Sequence, residues 1–278
     1  MDLSLYKKKE TVKEGYLDSS EKTDKLIYPD SKIAIIIPAY NEEKNIGSVL
    51  KNIPINISNK LEVIVVDDGS NDNTAEIARN YNAKVIKHEK NQGNGAATRT
   101  GLNYCKELNP DAAVILDADG QHNPKYLYHF IKPIIEEGCH LTIGNRFMYH
   151  YRMSPKKRVC SLMITALYKL ILRKKISDPT NGYRALSSEV IKNIELESDY
   201  SVTQEMLLRV IPFYRYKEIP IKLQQRRSGS SFISLRKYFP KMLLFIIKYY
   251  IFPKIRKFSS FLFQEKTRSI IGYYLLKT

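Results

Sequence analysis

Apolar and polar positions change rhythm along the chain in a regular way. "IAIII" (33–37) is a β-branched apolar run ended by Pro38, and "LEVIVV" (61–66) is a second one stopped by "DDGS". "AKVIK" (83–87) and "AAVIL" (112–116) follow with the same character. Runs this short and this apolar predict strands buried on both faces. Between them lie segments with helical spacing. "NEEKNIGSVLKNI" places Ile46, Val49, Leu50 and Ile53 on one face with Asn41 as a candidate N-cap, and "NTAEIARNY" and "GAATRTGLNYCKEL" read likewise. Strand and helix alternating four times with short connections predict a parallel sheet covered on both faces. Beyond it, "PKYLYHFIKPIIEEG" predicts a helix and "CHLTIGNRF" a further strand.

Three polar clusters fall at the carboxyl ends of the predicted strands: "PAYNEE", "VDDGSNDNT" and "DADGQHNP". Ligands of open α/β sheets bind at those ends. Asp117 and Asp119 stand two residues apart at the close of a strand, where their side chains share a face and repel unless a positive charge lies between them.

The second half of the chain differs in kind. Val159, Leu162, Met163, Ala166, Leu167, Leu170 and Ile171 recur at helical spacing, with "SPKKR" before and "RKK" after. Two readings remain open for this helix (about 158–175): an ordinary core-facing element, or one lying in a membrane interface. The run from Phe239 to Phe252 is apolar almost all round, with Lys241 and Lys248 seven apart and Tyr249 and Tyr250 near one end, which suits an interface. Its longest stretch, "MLLFIIKYYIF" (242–252), falls short of the roughly 18–20 residues a bilayer-spanning helix needs.

Charge sharpens this division. The formal net charge is +16, and residues 214–278 hold fifteen Lys or Arg against two Asp or Glu, while residues 146–175 hold nine and no acid. Such an excess admits nucleic acid, an anionic membrane surface or phosphorylated substrates as partners. Nucleic acid is set aside, because the basic residues flank apolar stripes rather than stacking surfaces and the acids cluster where a groove would be. Cys105, Cys139 and Cys160 show no pairing or metal spacing, which points to a reduced, cytoplasmic chain. The opening "MDLSLYKKKETVKEGYLDSSEKTD" has no apolar core segment and reads as a loosely held arm (1–30), followed by one domain (31–232) and a basic-apolar membrane-associating segment (233–278).

Seven motifs in order, "IIIPAYNEEKNI", "EVIVVDDGSNDNT", "NQGNGAATRTGL", "DADGQHNP", "GNRF", "DPTNGYRA" and "RRSGSS", resemble a family 2 glycosyltransferase of the GT-A fold. The likeness is greatest to the dolichyl-phosphate mannose and glucose synthases. It implies a Rossmann-like mixed sheet flanked by helices and an inverting transfer of one sugar from a nucleotide sugar to dolichyl or polyprenyl phosphate. The setting it implies is the cytoplasmic face of the cell membrane, with the protein held peripherally. By the same resemblance Pro38, Tyr40, Glu42 and Ala118 lie against the nucleotide, Asp67 holds its base or ribose side with Asp68 and Gly69 completing that turn of the nucleotide site, and Arg99 serves the donor phosphates. Asp117, Asp119 and Gln121 match the residues that hold Mg²⁺ or Mn²⁺, an assignment that suits hard oxygen ligands. Asp119 is then a catalytic residue through the metal, and His122 reads as a turn residue rather than a ligand.

A phosphate acceptor is already ionised near neutral pH and needs cations rather than a base. Arg146 and Arg226 are the first candidates, with Arg158 and Arg184 behind them. Glu205 stands where relatives that use a hydroxyl acceptor carry a catalytic acid, and is read here as orienting an Arg; a family 2 enzyme with Glu205 as base is the rival. The sequence departs from the family at Phe232, where a Lys is usual. "NQGNGAATRTG" favours a UDP-sugar (glucose or N-acetylglucosamine) over GDP-mannose.

Overall fold

The computed structural model describes residues 26–149, 155–199 and 202–224. Seven strands form one sheet: β1 (Lys32–Ala39), β2 (Lys60–Asp67), β3 (Lys84–Lys87), β4 (Ala112–Ile115), β5 (Leu141–Asn145), β6 (Arg184–Ser187) and β7 (Tyr216–Pro220). Their spatial order is β3-β2-β1-β4-β6-β5-β7. The first four run parallel, as their apolar runs predict. β6 enters antiparallel between β4 and β5, and β7 pairs parallel with β5, so the whole sheet is mixed.

β1 shows why the sheet must be covered twice. Ile33, Ile35 and Ile37 join a core with α1 (Ile46–Lys51), α2 (Thr74–Asn80) and α4 (Leu127–Ile135). Ala34 and Ile36 join the opposite core with α3 (Asn94–Leu108), α5 (Pro155–Leu172), α6 (Ser188–Asn193) and α7 (Val202–Val210). Alternate side chains point to opposite faces, and Ile33 through Ile37 are all fully buried. Gly101 lets α3 close on this strand, since a Cβ there would stand 2.4 Å from Ile36 Cγ2.

Three expectations change. Asn41 does not cap α1: it sits at φ +53, and α1 begins only at Ile46 after a turn. Its side chain instead accepts the Asn71 N–H, while its own N–H donates to Ser70 Oγ, tying together the loops after β1 and β2. Within the expected arm (1–30), Tyr28 is anchored: its ring is buried and its hydroxyl donates to Glu136 Oε1 at 2.7 Å, while Ile27, Pro29 and Asp30 stay exposed. The segment after Asn123 is one 3-10 turn (Pro124–Tyr126) before α4, rather than a continuous helix.

On α5 the apolar residues divide between two faces. The helix turns Ser161, Ile164, Thr165, Tyr168 and Leu172 inward, and Leu167 and Ile171 are only partly covered. The stripe's remaining large residues face out, with Val159, Leu162, Met163 and Leu170 at 56%, 54%, 55% and 75% exposure. Arg158, Lys169, Arg173, Lys174 and Lys175 are exposed along and after the same helix. Among the described residues no helix is long and apolar enough to cross a membrane. The 239–252 run and the segment from residue 233 lie outside the described residues.

Candidate active site

The carboxyl end of β2 carries two acids with different employment. Asp68 accepts the backbone N–H groups of Gln92 and Gly93 at 3.0 and 2.7 Å, and His88 Nδ1 lies 2.7 Å from its carboxylate. It completes its turn by holding the 88–93 segment. Gly69 has to be glycine there: φ is +75, and a Cβ would stand 2.6 Å from the Lys90 carbonyl carbon. Asp67 is fully buried, and its Oδ1 accepts from the Ser70 N–H at 3.0 Å. Its Oδ2 has no hydrogen-bond partner among the described residues; the Lys87 ammonium stands 3.7 Å away. A buried acceptor with that capacity left open is an uncommon feature and suits a ligand's N–H or O–H.

On the neighbouring strand and the loop after it, Pro38 is buried in β1, Tyr40 is half-buried just beyond the strand, and Glu42 is buried with its carboxylate accepting from Asn45 Nδ2 at 2.6 Å. The Asp117 turn follows β4. Asp117 keeps 39% of its side chain exposed, Ala118 is buried, and Asp119 Oδ1 accepts the Gln121 N–H at 2.9 Å. Gly182 opens room beside Asp117, since a Cβ would sit 3.3 Å from Oδ2. His122 is buried beneath the turn, where its Nδ1 accepts the Asp117 N–H at 3.1 Å and its ring also bonds Asn181. Burial pulls its pKa down to about 4, with Arg146 adding to the effect and Asp119 and Asp178 opposing it. A neutral imidazole already committed on two sides is a loop support, in line with its reading as a turn residue.

The residues present fit a hard divalent cation. Two carboxylates and an amide oxygen stand at one strand end, and the missing Cβ of Gly182 leaves the Asp117 carboxylate accessible. Among the described residues no three His, Cys, Asp or Glu side chains gather as a metal cage. The set is a pair of acids completed by Gln121. The Gln121 carbonyl in turn accepts the Gln224 N–H at 2.9 Å, so the turn is tied to the segment that follows β7. Arg226 lies two residues past Gln224, outside the described residues.

The expected phosphate-binding arginines divide. Arg146 is held by Asp178, with Nε and Nη2 at 2.9 and 3.0 Å from the two carboxylate oxygens, and by Thr180. Thr180 is two residues before Gly182, which lies against the Asp117 carboxylate, so Arg146 is held by the same loop that borders the Asp117 turn. Arg184 is fully buried and donates to the carbonyls of Pro179, Asn181 and Thr203. It frames the loop under Asp117 and does not face an acceptor. Arg158 is exposed on α5. Arg99 pairs with Asp199 at 2.7 Å and donates to the Glu197 carbonyl at 2.8 Å, strapping the 197–199 segment to α3.

Glu205 is fully buried. It accepts the N–H groups of Glu197 and Ser198 and the Arg209 Nε at 2.8 Å, so it does orient an Arg and fixes a loop as well. The residues not singled out from sequence are Asp178, Asn181 and His88. The first two sit inside "DPTNGYRA", and that motif was their only sign. His88 gave none.

The profile of the family described as "Glycosyl transferase family 2" matches residues 34–195. A UDP-N-acetylglucosamine–dolichyl-phosphate N-acetylglucosaminyltransferase of Methanococcus voltae is 39% identical over 61% of this chain and 72% of its own length. A dolichyl-phosphate hexose transferase of Haloferax volcanii is 32% identical over 72% of this chain and 86% of its own. Among solved structures, a glucosyl-3-phosphoglycerate synthase of Mycobacterium tuberculosis in complex with Mn²⁺ and UDP superposes at a TM-score of 0.59. It shares 23% identity over 72% of this chain and 74% of that one, a likeness of fold.

Proposed function

From a chain that belongs to glycosyl transferase family 2, we propose the transfer of a single sugar from a nucleotide diphosphate sugar to dolichyl or polyprenyl phosphate. UDP-glucose and UDP-N-acetylglucosamine are the preferred donors over GDP-mannose. The observation that carries the donor half is the buried Oδ2 of Asp67, which has no hydrogen-bond partner among the described residues, across from the Asp117 turn. An imide N–H of a base or a ribose O–H satisfies it, with Pro38, Tyr40, Glu42 and Ala118 shaping the nucleotide's surroundings.

Asp117, Asp119 and Gln121 would hold Mg²⁺ or Mn²⁺, which when bound supplies Lewis acidity to the diphosphate leaving group. The acceptor's phosphate oxygen forms a bond to the anomeric carbon as the bond to the diphosphate breaks, and one displacement inverts that centre. An acceptor that arrives ionised gives up no proton, which agrees with Glu205 being buried under backbone donors and Arg209. Arg146, oriented by Asp178, and Arg226 supply the positive surroundings of the acceptor.

The relatives' names supply the dolichyl phosphate class. The outward apolar face of α5 between basic residues supports a lipid-borne acceptor reached at an anionic membrane surface. The face so occupied would be the cytoplasmic one, where nucleotide sugars are made.

Two measurements test this. Asp67→Asn keeps an acceptor for the Ser70 N–H but turns the open position into a donor. Calorimetry with UDP and Mn²⁺ should show binding at least about tenfold weaker, the effect of opposing two donors in a buried site. Unchanged affinity removes Asp67 from the nucleotide site. Replacing Leu162, Met163 and Leu170 together by Ser should release much of the protein from anionic vesicles in flotation, because interfacial binding scales with the apolar area inserted. Those side chains are exposed, so the fold should survive the change; equal flotation of variant and wild type ends the interfacial reading.

A further inference from the structure

We propose that His88 is a positioning residue for the donor nucleotide: by joining Asp68 to Thr100 it fixes the turn that carries Asp67. The inference rests on Asp67 being the nucleotide's partner. It deepens that reading by naming what holds the carboxylate in place.

The geometry is a three-member relay. His88 Nδ1 lies 2.7 Å from Asp68 Oδ1, and Nε2 lies 2.9 Å from Thr100 Oγ1. A carboxylate that already accepts two backbone N–H groups needs Nδ1 as a third donor, which sets the ring's protonation there. The Thr100 hydroxyl can donate to Nε2 or accept from it, so this contact needs no particular assignment of that nitrogen. His88 and Asp68 are nearly covered, with 10% and 3% of their side chains exposed.

Three elements meet in this relay. The His88 N–H donates to the Asp67 carbonyl at 2.9 Å, the Asp68 carboxylate grips Gln92 and Gly93, and Thr100 lies on α3. Gly69 is pressed against Lys90 and Asn91 with no room for a Cβ. The turn after β2 therefore has little freedom of its own; the Asp68 bonds to Gln92 and Gly93 tie it to the start of α3, and His88 adds a second tie to Thr100, further along that helix. Asp67 has one oxygen held by Ser70 in that same turn. Any shift of the turn moves the open oxygen away from the ligand atom it must meet. A hydrogen bond weakens steeply with misalignment, so loss of the relay should appear in nucleotide affinity before it appears in turnover.

The test measures UDP and GDP binding with Mn²⁺ by calorimetry, together with kcat and KM for the nucleotide sugar. The proteins are wild type, His88→Ala, His88→Asn and Thr100→Val. His88→Ala should bind the nucleoside diphosphate about tenfold more weakly and raise KM to match, the size expected for one charge-assisted hydrogen bond, with kcat within about threefold. His88→Asn replaces the Nδ1–H with an amide N–H and should recover most of the affinity. Thr100→Val keeps the Asp68 contact and should lose about threefold, as one neutral bond is removed.

Wild-type affinity in His88→Ala, a fall in kcat with affinity unchanged, or no recovery in His88→Asn would each overturn the proposal. Should His88→Ala fail to fold, Thr100→Val decides: unchanged affinity there refutes it. If wild type binds neither UDP nor GDP, the nucleotide reading of Asp67 fails and this inference with it. If wild type binds and Asp67→Asn weakens binding while the His88 variants do not, the site stands and His88 has no positioning role.

Discussion

Asp119→Ala is expected to lower sugar transfer by at least about a thousandfold, since the charge stabilisation a catalytic metal supplies is worth several kcal/mol. Asp119 is half-buried at the end of the turn after β4, and its Oδ1 caps the Gln121 N–H. Losing that cap should cost about 1 kcal/mol of stability, so the variant should still fold. The two effects separate cleanly in an assay of transfer beside a thermal melt. Wild type should show the same loss in excess chelator and recover with Mg²⁺ or Mn²⁺, whereas Asp119→Ala should not recover. Calorimetry should show nucleoside diphosphate binding that weakens without metal in wild type and is already weak in the variant. Turnover surviving in Asp119→Ala, or indifference of wild type to chelation, would remove the metal from the mechanism.

Glu205→Gln should act on stability more than on chemistry. Glu205 Oε1 accepts from the Glu197 N–H and Arg209 Nε, and Oε2 accepts from the Glu197 and Ser198 N–H groups. Whichever oxygen becomes an NH₂ then faces a donor, and Arg209 loses the charge that holds it. The expected cost is about 3 kcal/mol, below the upper range for a broken buried pair because Arg209 is partly exposed and can rehydrate. Transfer by the folded variant should fall no more than about tenfold, against the 10²–10⁴-fold typical of removing a general base. Its pH profile should rise as the acceptor phosphate ionises near pH 6, as in wild type. Loss of transfer far beyond tenfold at a temperature where the variant is folded, with wild-type activity toward a simple sugar alcohol, would instead make Glu205 a base and the acceptor a hydroxyl.

The two acids also show how far local pattern carries a reading. Asp119 was legible because a strand of β-branched residues announces itself and its carboxyl end is where such sheets bind ligands. The same holds for Asp67 after "LEVIVV" and for Pro38 after "IAIII". These strands depend on side chains two apart in sequence, so their signal is contained in a few residues. Glu205 was read as orienting an Arg, and that contact is present, but it is only part of what surrounds the carboxylate. Its Arg209 partner, four residues on along α7, is helical spacing that sequence can show, but the Glu197 and Ser198 N–H groups become neighbours only when the chain doubles back.

Strands β6 and β7 were missed for a related reason. "RALS" and "YKEIP" are short and begin with charged or polar residues, and what makes them strands is pairing: β6 between β4 and β5, and β7 along the outer edge of β5. Hydrogen-bonding neighbours distant in sequence override weak local preference. The stripe on α5 shows the converse. Its apolar spacing is plain in sequence, yet a helix with apolar residues on more than one face does not say which face packs. The sheet does, taking Ile164, Tyr168 and Leu172 and leaving Leu162, Met163 and Leu170 outside.

The arginines divide along the same line. Sequence establishes that Arg99, Arg146 and Arg184 are charged and well placed to meet an anion, because their type and their motif are local facts. Which partner each meets was settled by folding: Asp199 for Arg99, Asp178 for Arg146, and backbone carbonyls for Arg184. A charge drawn out of water must be compensated where it lies, and the compensating groups stand 100 and 32 positions away for Arg99 and Arg146 and three, five and nineteen for Arg184, a scatter no periodicity reports.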